Sequence, residues 1–304
     1  MAIALLDKHH FLLRRLHSLT GIVPIGVFLL NHLLTNSSIL WGGFALRGER
    51  IEGLEPEQVH GGVAYFQKEV AWINEQVPHL LLIELSLWGA IAFHSILGVY
   101  YATTGKANTA RYAYQDNWRY TLQRLTGYLG ILFIFYHVAT LRWGWTWLVP
   151  GGAKWSHEFA SSTLAQALRG DAEGITAVGV LVGLLYFAGI TAMVFHFANG
   201  LWTAAITWGL TITVQAQKRW GVVCAGLGAG LMLAAWGSLA GFFFLKPAEA
   251  RMVEEAMGGH TPPTPTASAD NARSPVSQPP APQPAVSEPS ASSGGEAPSN
   301  PPTE

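Results

Sequence analysis

The sequence is poor in charge and in cysteine. Only 12% of its 304 residues are charged, which is about half the share found in a typical soluble domain. The net charge of −1 offers no positive field for a nucleic-acid partner, so none is expected. The single cysteine, Cys224, excludes an internal disulfide and cannot supply the thiolates of an iron–sulfur cluster. The sequence also lacks a C-x-x-C-H motif, which excludes covalently attached c-type haem.

Long apolar runs take the place of the missing charge. A helix needs about 20 mostly apolar residues to cross a bilayer. Five segments meet this requirement, and they are residues 19–40, 79–103, 122–143, 175–203 and 221–245. The first run is not followed by a small-residue cleavage site, so we interpret it as a retained span. The sequence therefore predicts an all-α membrane protein with five transmembrane helices.

The charges of the loops predict the orientation. The N-terminal segment, the second loop and the fourth loop together hold nine basic and two acidic residues. The first and third loops hold six basic and nine acidic residues. Because cytoplasmic loops carry an excess of Lys and Arg, we expect the N-terminus in the cytoplasm and the C-terminus outside.

The distribution of proline divides the chain into two parts. Thirteen of the 17 prolines lie from Pro247 onward, among Ser, Ala, Thr and Gln. A segment of this composition buries too little apolar area to offset its chain entropy. We therefore expect a transmembrane domain over residues 1–246 and a disordered tail over residues 247–304.

Each of the first four spans contains one deeply placed histidine: His32, His94, His137 and His196. Ionisable side chains inside a bilayer are costly and usually functional. From the rise of an α-helix, His32 and His137 lie roughly 20 Å from the cytoplasmic surface, and His94 and His196 roughly 12 Å. We call His32 and His137 the outer pair, and His94 and His196 the inner pair. Because two facing imidazoles hold one haem, the first four helices are expected to form a bundle around two b-type haems.

An internal repeat supports this pairing. The first span opens with Leu-His-Ser-Leu-Thr-Gly at residues 16–21, and the third with Leu-Gln-Arg-Leu-Thr-Gly at residues 122–127. The second and fourth spans share Phe-His-x-x-x-Gly at residues 93–98 and 195–200. Duplication of a helical hairpin would place the histidines in pairs.

Two further histidines lie near the ends of the first two spans. His17 and His79 each precede a proposed ligand by 15 residues. His17 is expected at the cytoplasmic face and His79 at the outer face, so the two cannot share an iron atom. We therefore expect neither to be a haem ligand.

The sequence resembles the cytochrome b subunit of bacterial succinate dehydrogenases and fumarate reductases, of the single-polypeptide type with two haems. Three features carry the resemblance: Arg-Leu-His-Ser-Leu-Thr-Gly at residues 15–21, Asn31-His32 in the same span, and one histidine per helix. The resemblance extends over residues 12–245. The departures from the family are the long first loop, residues 41–78, and the proline-rich tail.

The resemblance implies a non-catalytic membrane anchor in the bacterial cytoplasmic membrane. Its expected partners are a flavoprotein, in which succinate is oxidised, and an iron–sulfur subunit docked on the cytoplasmic face. Electrons would pass between the iron–sulfur subunit and a membrane quinone through the two haems. The two-haem type is associated with menaquinone.

Acidic side chains near the outer pair are candidates for the quinone site. Quinone reduction or quinol oxidation needs an acid or base near the membrane surface. Glu69, Glu75 and Glu84 lie in that region. Glu84 lies about one turn inside the second span, where a carboxylate is costly. The alternative for Glu84 is a solvated or hydrogen-bonded residue at the interface.

Polar side chains near the inner pair are candidates for binding haem propionates or the iron–sulfur subunit. They are Arg15, Ser18, Arg119 and Arg124. The alternative for the arginines is a positive charge that faces the lipid headgroups.

Two other functions fit parts of the pattern. The dihaem cytochrome b of a hydrogenase or formate dehydrogenase is closely related in its chemistry. A haem-free transporter or scaffold would use the histidines for proton or metal traffic. A bc-type cytochrome b is disfavoured because its ligands come two per helix.

Overall fold

The computed structural model describes residues 8–76, 79–104 and 115–258. The regular secondary structure in these ranges consists of α-helices and three short 3₁₀ turns. The helices are α1 (His10–Ile22), α2 (Pro24–Leu46), α3 (Gly61–Gln76), α4 (Leu80–Thr104), α5 (Gln115–Leu141), α6 (Ala160–Arg169), α7 (Ala177–Thr207), α8 (Val214–Phe244) and α9 (Pro247–Gly258).

Five helical segments are long and apolar enough to cross a membrane, as predicted. They are His10–Leu46, Leu80–Thr104, Asn117–Leu141, Ala177–Thr207 and Val214–Phe244. The first consists of α1 and α2 and has 37 residues. It extends beyond the predicted run because helical geometry continues through charged residues such as Arg14 and Arg15.

A proline interrupts the first span without ending it. Pro24 occupies the first position of α2, where its missing N–H is tolerated. Val23 keeps right-handed helical backbone angles, and its N–H donates to the Leu19 carbonyl at 2.8 Å. The axis of α1 therefore continues into α2, which ends where Arg47 and Gly48 adopt positive φ angles.

The four histidine-bearing spans pack around one another. Helix α1 contacts α4 and α7, and α5 contacts α4 and α7. The fifth span, α8, packs against α2 and α7 and contributes no histidine. The bundle that can enclose a cofactor is therefore built from the first four spans.

Three short helices, α3, α6 and α9, pack together at one end of the bundle, and we call them the cap. It lies where the first, third and fifth spans end and the second and fourth begin. Its core includes Val63, Ala160, Leu168, Ala250 and Val253, each at most 3% exposed. The first and third loops predicted from the sequence thus contain helices, which are too short to cross a membrane.

Glycines allow α3 to lie directly on the end of α2. A Cβ atom on Gly62 would lie 2.0 Å from the Ile39 carbonyl oxygen, and one on Gly61 would lie 2.6 Å from the Gly43 Cα. Any side chain at these positions would push the two helices apart. The long first loop therefore folds back onto the span that precedes it.

Residues 247–258 differ from the expected disordered tail and form α9. Proline at the first helical position is favourable, so Pro247 begins this helix. The buried residues of α9 are Pro247, Ala250, Val253 and Glu254. Composition alone missed this helix because its apolar residues acquire a packing surface only from α3 and α6. Residues 259–304 lie outside the described part of the chain.

Candidate functional site

The structure brings the two rings of the inner pair close together. The ring centroids of His94 and His196 are 6.1 Å apart, and the ring planes are inclined at 81°. Metal–imidazole bonds are about 2 Å long, so imidazoles on opposite sides of one metal have centroids about 6 Å apart. The inner pair already has this spacing.

Backbone carbonyls orient both rings of the inner pair. His94 Nδ1 lies 2.8 Å from the His17 carbonyl oxygen, and His196 Nδ1 lies 3.0 Å from the Gln123 carbonyl oxygen. A carbonyl oxygen only accepts hydrogen bonds, so each Nδ1 carries the proton and donates. Each Nε2 then keeps its lone pair, which is the state a ligating imidazole requires.

The glycines of the internal repeat make room for the same two rings. A Cβ atom on Gly21 would lie 2.5 Å from His94 Cε1, and one on Gly127 would lie 3.1 Å from His196 Cε1. Gly21 and Gly127 occupy equivalent repeat positions, four residues after His17 and Gln123. The two hairpins therefore hold their inner histidines by the same pair of contacts.

The outer pair lies toward the cap. The centroids of His32 and His137 are 5.7 Å apart, with ring planes inclined at 84°. Phe28 stacks on His32 at 5.4 Å, and Tyr186 meets His137 edge-on at 5.9 Å. Nδ1 of His137 is buried and has no hydrogen-bond partner among the described residues.

A cavity of about 300 Å³ adjoins the inner pair and is lined by both histidines. Polar side chains, including Arg14, Ser18 and Arg124, share its mostly apolar lining. Two buried atoms on its wall, Nε2 of His17 and the Tyr101 hydroxyl, have no hydrogen-bond partner among the described residues. A flat apolar group with charged edges, such as haem, fits this combination of surfaces.

The ligand chemistry also fits haem better than a bare metal ion. No group of three or more His, Cys, Asp or Glu side chains converges in the part of the chain that the structure describes. A structural metal ion such as zinc usually requires four ligands. A bis-histidine haem requires two protein ligands, and each histidine pair provides two.

Comparison with known proteins connects this geometry to a family. No model of a protein family matches the chain, and no solved structure matches it. Over 212 residues the chain is 32% identical to the succinate dehydrogenase cytochrome b558 subunit of Bacillus subtilis (strain 168). The match covers 69% of this chain and 86% of that subunit. The chain belongs to the succinate dehydrogenase cytochrome b family.

Membership of the cytochrome b family has two direct consequences. The name implies haem b as the cofactor, and the five apolar helices make the chain a multi-pass membrane protein. The hydrogenase, formate dehydrogenase and haem-free transporter alternatives are set aside, because the relative is a succinate dehydrogenase subunit.

His17 contacts the inner pair, and sequence reasoning missed this contact. Its ring stacks on His94 with centroids 4.0 Å apart and planes inclined at 12°. Its carbonyl oxygen accepts the hydrogen bond from His94. The available signal was the repeat, which aligns His17 with Gln123, whose side chain donates to the His196 carbonyl at 3.0 Å.

Two of the four predicted propionate-binding residues, Ser18 and Arg15, lie at different positions relative to the cavity. Ser18 is on its wall, donates to the Arg15 carbonyl at 2.9 Å and accepts from Trp208 Nε1 at 2.8 Å. The Arg15 guanidinium lies over the Phe11 ring at 4.1 Å, and Arg15 is not part of the cavity wall. Of these two residues, Ser18 is thus the better placed to contact a group in the cavity.

Of the predicted quinone-site acids, Glu69 lies on α3 in the cap. Burial raises the pKa of its carboxyl, and the neighbouring Ser38 hydroxyl opposes that shift. Its Oε2 is buried without a hydrogen-bond partner among the described residues. A carboxyl that is partly buried and incompletely bonded is suited to holding and releasing a proton.

Glu84 lies on α4 and forms an ion pair. Its Oε1 accepts from Arg142 Nε at 2.6 Å, and its side chain is 29% exposed. This contact matches the alternative of a hydrogen-bonded interfacial residue. It joins the second and third spans at the capped end of the bundle.

Proposed function

We propose that this chain is the membrane anchor of a succinate:quinone oxidoreductase and passes electrons between an iron–sulfur subunit and membrane quinone. Two b-type haems are held in it, one by the outer pair and one by the inner pair. The supporting observation is that four helices bring four histidines into two couples with centroids 5.7 and 6.1 Å apart. Each haem, when bound, supplies a one-electron carrier.

The protein's own groups prepare these two sites. The carbonyls of His17 and Gln123 fix the protonated nitrogen of each inner ring, so that the other nitrogen is free to bind. Ser18 and Arg124 present polar groups to the edge of the inner cavity, where carboxylates of a haem would be accommodated. Phe28, Phe133 and Tyr186 surround the outer rings and restrict the entry of water.

The orientation follows from the distribution of charge. Basic residues are concentrated at the end of the bundle opposite the cap, so we place that end and the N-terminus in the cytoplasm. The flavoprotein and the iron–sulfur subunit dock there, in the bacterial cytoplasmic membrane, and succinate oxidation takes place in the flavoprotein. The cap, which includes α9, then lies on the outer side.

The quinone site lies near the outer pair in this proposal, and menaquinone is the expected quinone. Glu69 holds or releases a proton there, because its carboxyl is partly buried and its Oε2 has no hydrogen-bond partner in the described part of the chain. Glu84 does not act on quinone in this proposal. Its ion pair with Arg142 joins the second and third spans instead.

Haem counting tests the proposal. A pyridine haemochrome assay of the purified complex should give two haems b per copy of this chain. His94→Leu should remove the inner haem and His137→Leu the outer haem, each leaving the other detectable by its reduced-minus-oxidised spectrum. His79, which is exposed and immediately precedes α4, provides the control, because His79→Leu should leave both haems in place.

The proposal is wrong if the wild-type complex contains fewer than two haems. It is also wrong if replacing either ligand leaves both haems unchanged. Co-purification of a flavin-containing subunit separately tests the assignment of partners.

A further inference from the structure

Helix α9, the last helix in the described part of the chain, contributes to the core of the cap. Ala250 and Val253 are fully buried there. The same apolar cluster contains Leu164 and Leu168 of α6 and Tyr186 of α7. Helix α9 is therefore packed into a continuous core that reaches from the cap into the membrane bundle.

A carboxylate of α9 caps the N-terminus of α6. The residue before α6, Phe159, has no side-chain acceptor for the first N–H groups of the helix. Oε1 of Glu254 accepts from the backbone N–H groups of Ser161 and Ser162 at 2.6 and 3.1 Å. Its Oε2 accepts from the Ser162 hydroxyl at 2.5 Å. Glu254 is only 1% exposed, so water does not substitute for these bonds.

The other end of α6 is fixed to the membrane helices. Arg169 is buried, and its Nη1 donates to the Leu245 carbonyl at the end of α8 at 2.6 Å. The Arg169 carbonyl accepts from the N–H and the hydroxyl of Thr176, which precedes α7, both at 3.0 Å. Helix α6 is thus held at its N-terminal end by Glu254 and at its C-terminal end by the bundle.

Helix α6 in turn lies against a ring that touches the outer pair. Leu164 and Leu168 share with Tyr186 the wall of a small cavity of about 10 Å³. The Tyr186 ring is 6% exposed and meets the His137 ring at 5.9 Å with an inclination of 67°. A displacement of α6 would open space beside Tyr186 and so release the contact with His137.

We propose that Glu254 is a positioning residue for the outer histidine pair, acting through α6 and Tyr186. The inference rests on the proposed function of His137 as a haem ligand. It assigns a role to residues beyond the transmembrane domain and predicts that loosening the cap alters the outer haem while the inner haem is unaffected.

The test is a spectroelectrochemical titration of the whole complex carrying Glu254→Ala. The midpoint potential and the electron paramagnetic resonance line of one haem should shift, and those of the other should stay unchanged. The haem that shifts should be the one lost in His137→Leu. Glu254→Gln should behave like the wild type, because the amide oxygen still accepts from both N–H groups.

Two further variants separate positioning from general destabilisation. Glu255→Ala, a neighbouring glutamate that is 40% exposed, should leave both haems unchanged. In a Tyr186→Leu background, Glu254→Ala should produce no additional shift, because residues that act through one contact are not additive. If Glu254→Ala does not assemble, Glu254→Asp replaces it in the test. This change withdraws the carboxylate by one methylene, and it should likewise shift the signals of the outer haem alone.

Unchanged signals of both haems in an assembled Glu254→Ala complex would overturn this inference alone. Equal shifts of both haems would also overturn it, because they indicate a general change of the bundle. A wild-type complex without haem would overturn the proposed function and this inference with it.

Discussion

At the scale of the residue, the site depends on which nitrogen of each imidazole is free. The His17 and Gln123 carbonyls accept hydrogen bonds from Nδ1 of the inner rings, and this leaves the lone pair of each Nε2 free to bind. The outer rings are instead surrounded by aromatic groups, with Nδ1 of His137 unbonded among the described residues. The two pairs are therefore expected to differ in their electronic properties although both consist of two histidines.

Glu69 gives a prediction about pH. Burial raises the pKa of its carboxyl, so it keeps its proton to higher pH than an exposed glutamate and loses it as the pH rises through the raised value. Quinone reduction that draws this proton should therefore slow as the pH rises. Glu69→Gln should lower the turnover rate by about 10²-fold or more and remove this limb of the pH profile.

Steady-state quinone reduction by the complex, measured from acid to alkaline pH, checks this expectation. Glu57→Gln changes an exposed carboxylate in the same loop and should retain the wild-type profile. A Glu69→Gln complex with the wild-type rate and profile would contradict the assignment.

At the scale of the element, the repeated hairpin explains why equivalent contacts hold the two inner histidines. In each hairpin a glycine lets a helix approach the ring of the next histidine, and a carbonyl four residues earlier binds that ring. In the cap, too, one helix depends on a side chain from another. Helix α6 is completed by a carboxylate from α9, which lies 92 residues away in sequence from Ser162.

The repeat glycines give a second prediction. Gly21→Ala places a Cβ atom 2.5 Å from His94 Cε1, so the ring must move. Overpacking of this kind costs about 1–3 kcal/mol, and we expect selective loss or spectral change of the inner haem. Gly127→Ala, with a contact of 3.1 Å, should have a smaller effect in the same direction.

Gly226→Ala is the matched control, because among the described residues no atom beyond the local helical backbone lies within 4 Å of a Cβ at this position of α8. It should retain both haems and the stability of the wild type. Thermal denaturation and reduced-minus-oxidised spectra of the three variants measure the comparison. Equal behaviour of Gly21→Ala and Gly226→Ala would show that the ring does not require the glycine.

At the scale of the whole molecule, the cap makes the two ends of the bundle unlike. One end is covered by three packed helices, whereas the other carries exposed apolar residues such as Leu210 and Ile212, which are 78% and 83% exposed. In the proposed orientation, which rests on the loop charges, the uncapped end faces the cytoplasmic partners. The capped end lies beside the outer pair and Glu69.

The proposed orientation predicts which loops are accessible from outside the cell. Leu210→Cys should react with a membrane-impermeant maleimide only after cells are permeabilised, and Glu173→Cys should react in intact cells. The native Cys224 is buried and should contribute little labelling. The opposite pattern would place the N-terminus outside and reverse the direction of electron flow relative to the membrane.

The number of spans and the histidine couples followed from the sequence alone. Hydropathy over 20 residues is a local property, and the depth of His32, His94, His137 and His196 depends only on counting along helices of fixed rise. These features require no knowledge of how the helices pack.

Tertiary structure alone decided the contacts around those histidines. The stacking of His17 on His94, the position of Tyr186 beside His137 and the folding of α9 depend on how helices rotate and cross. Such contacts join residues distant in sequence, so a local pattern does not contain them. Short helices such as α6 and α9 become stable only when partners bury their apolar faces and cap their ends. For this reason the local sequence pattern predicted a loop and a tail at these positions.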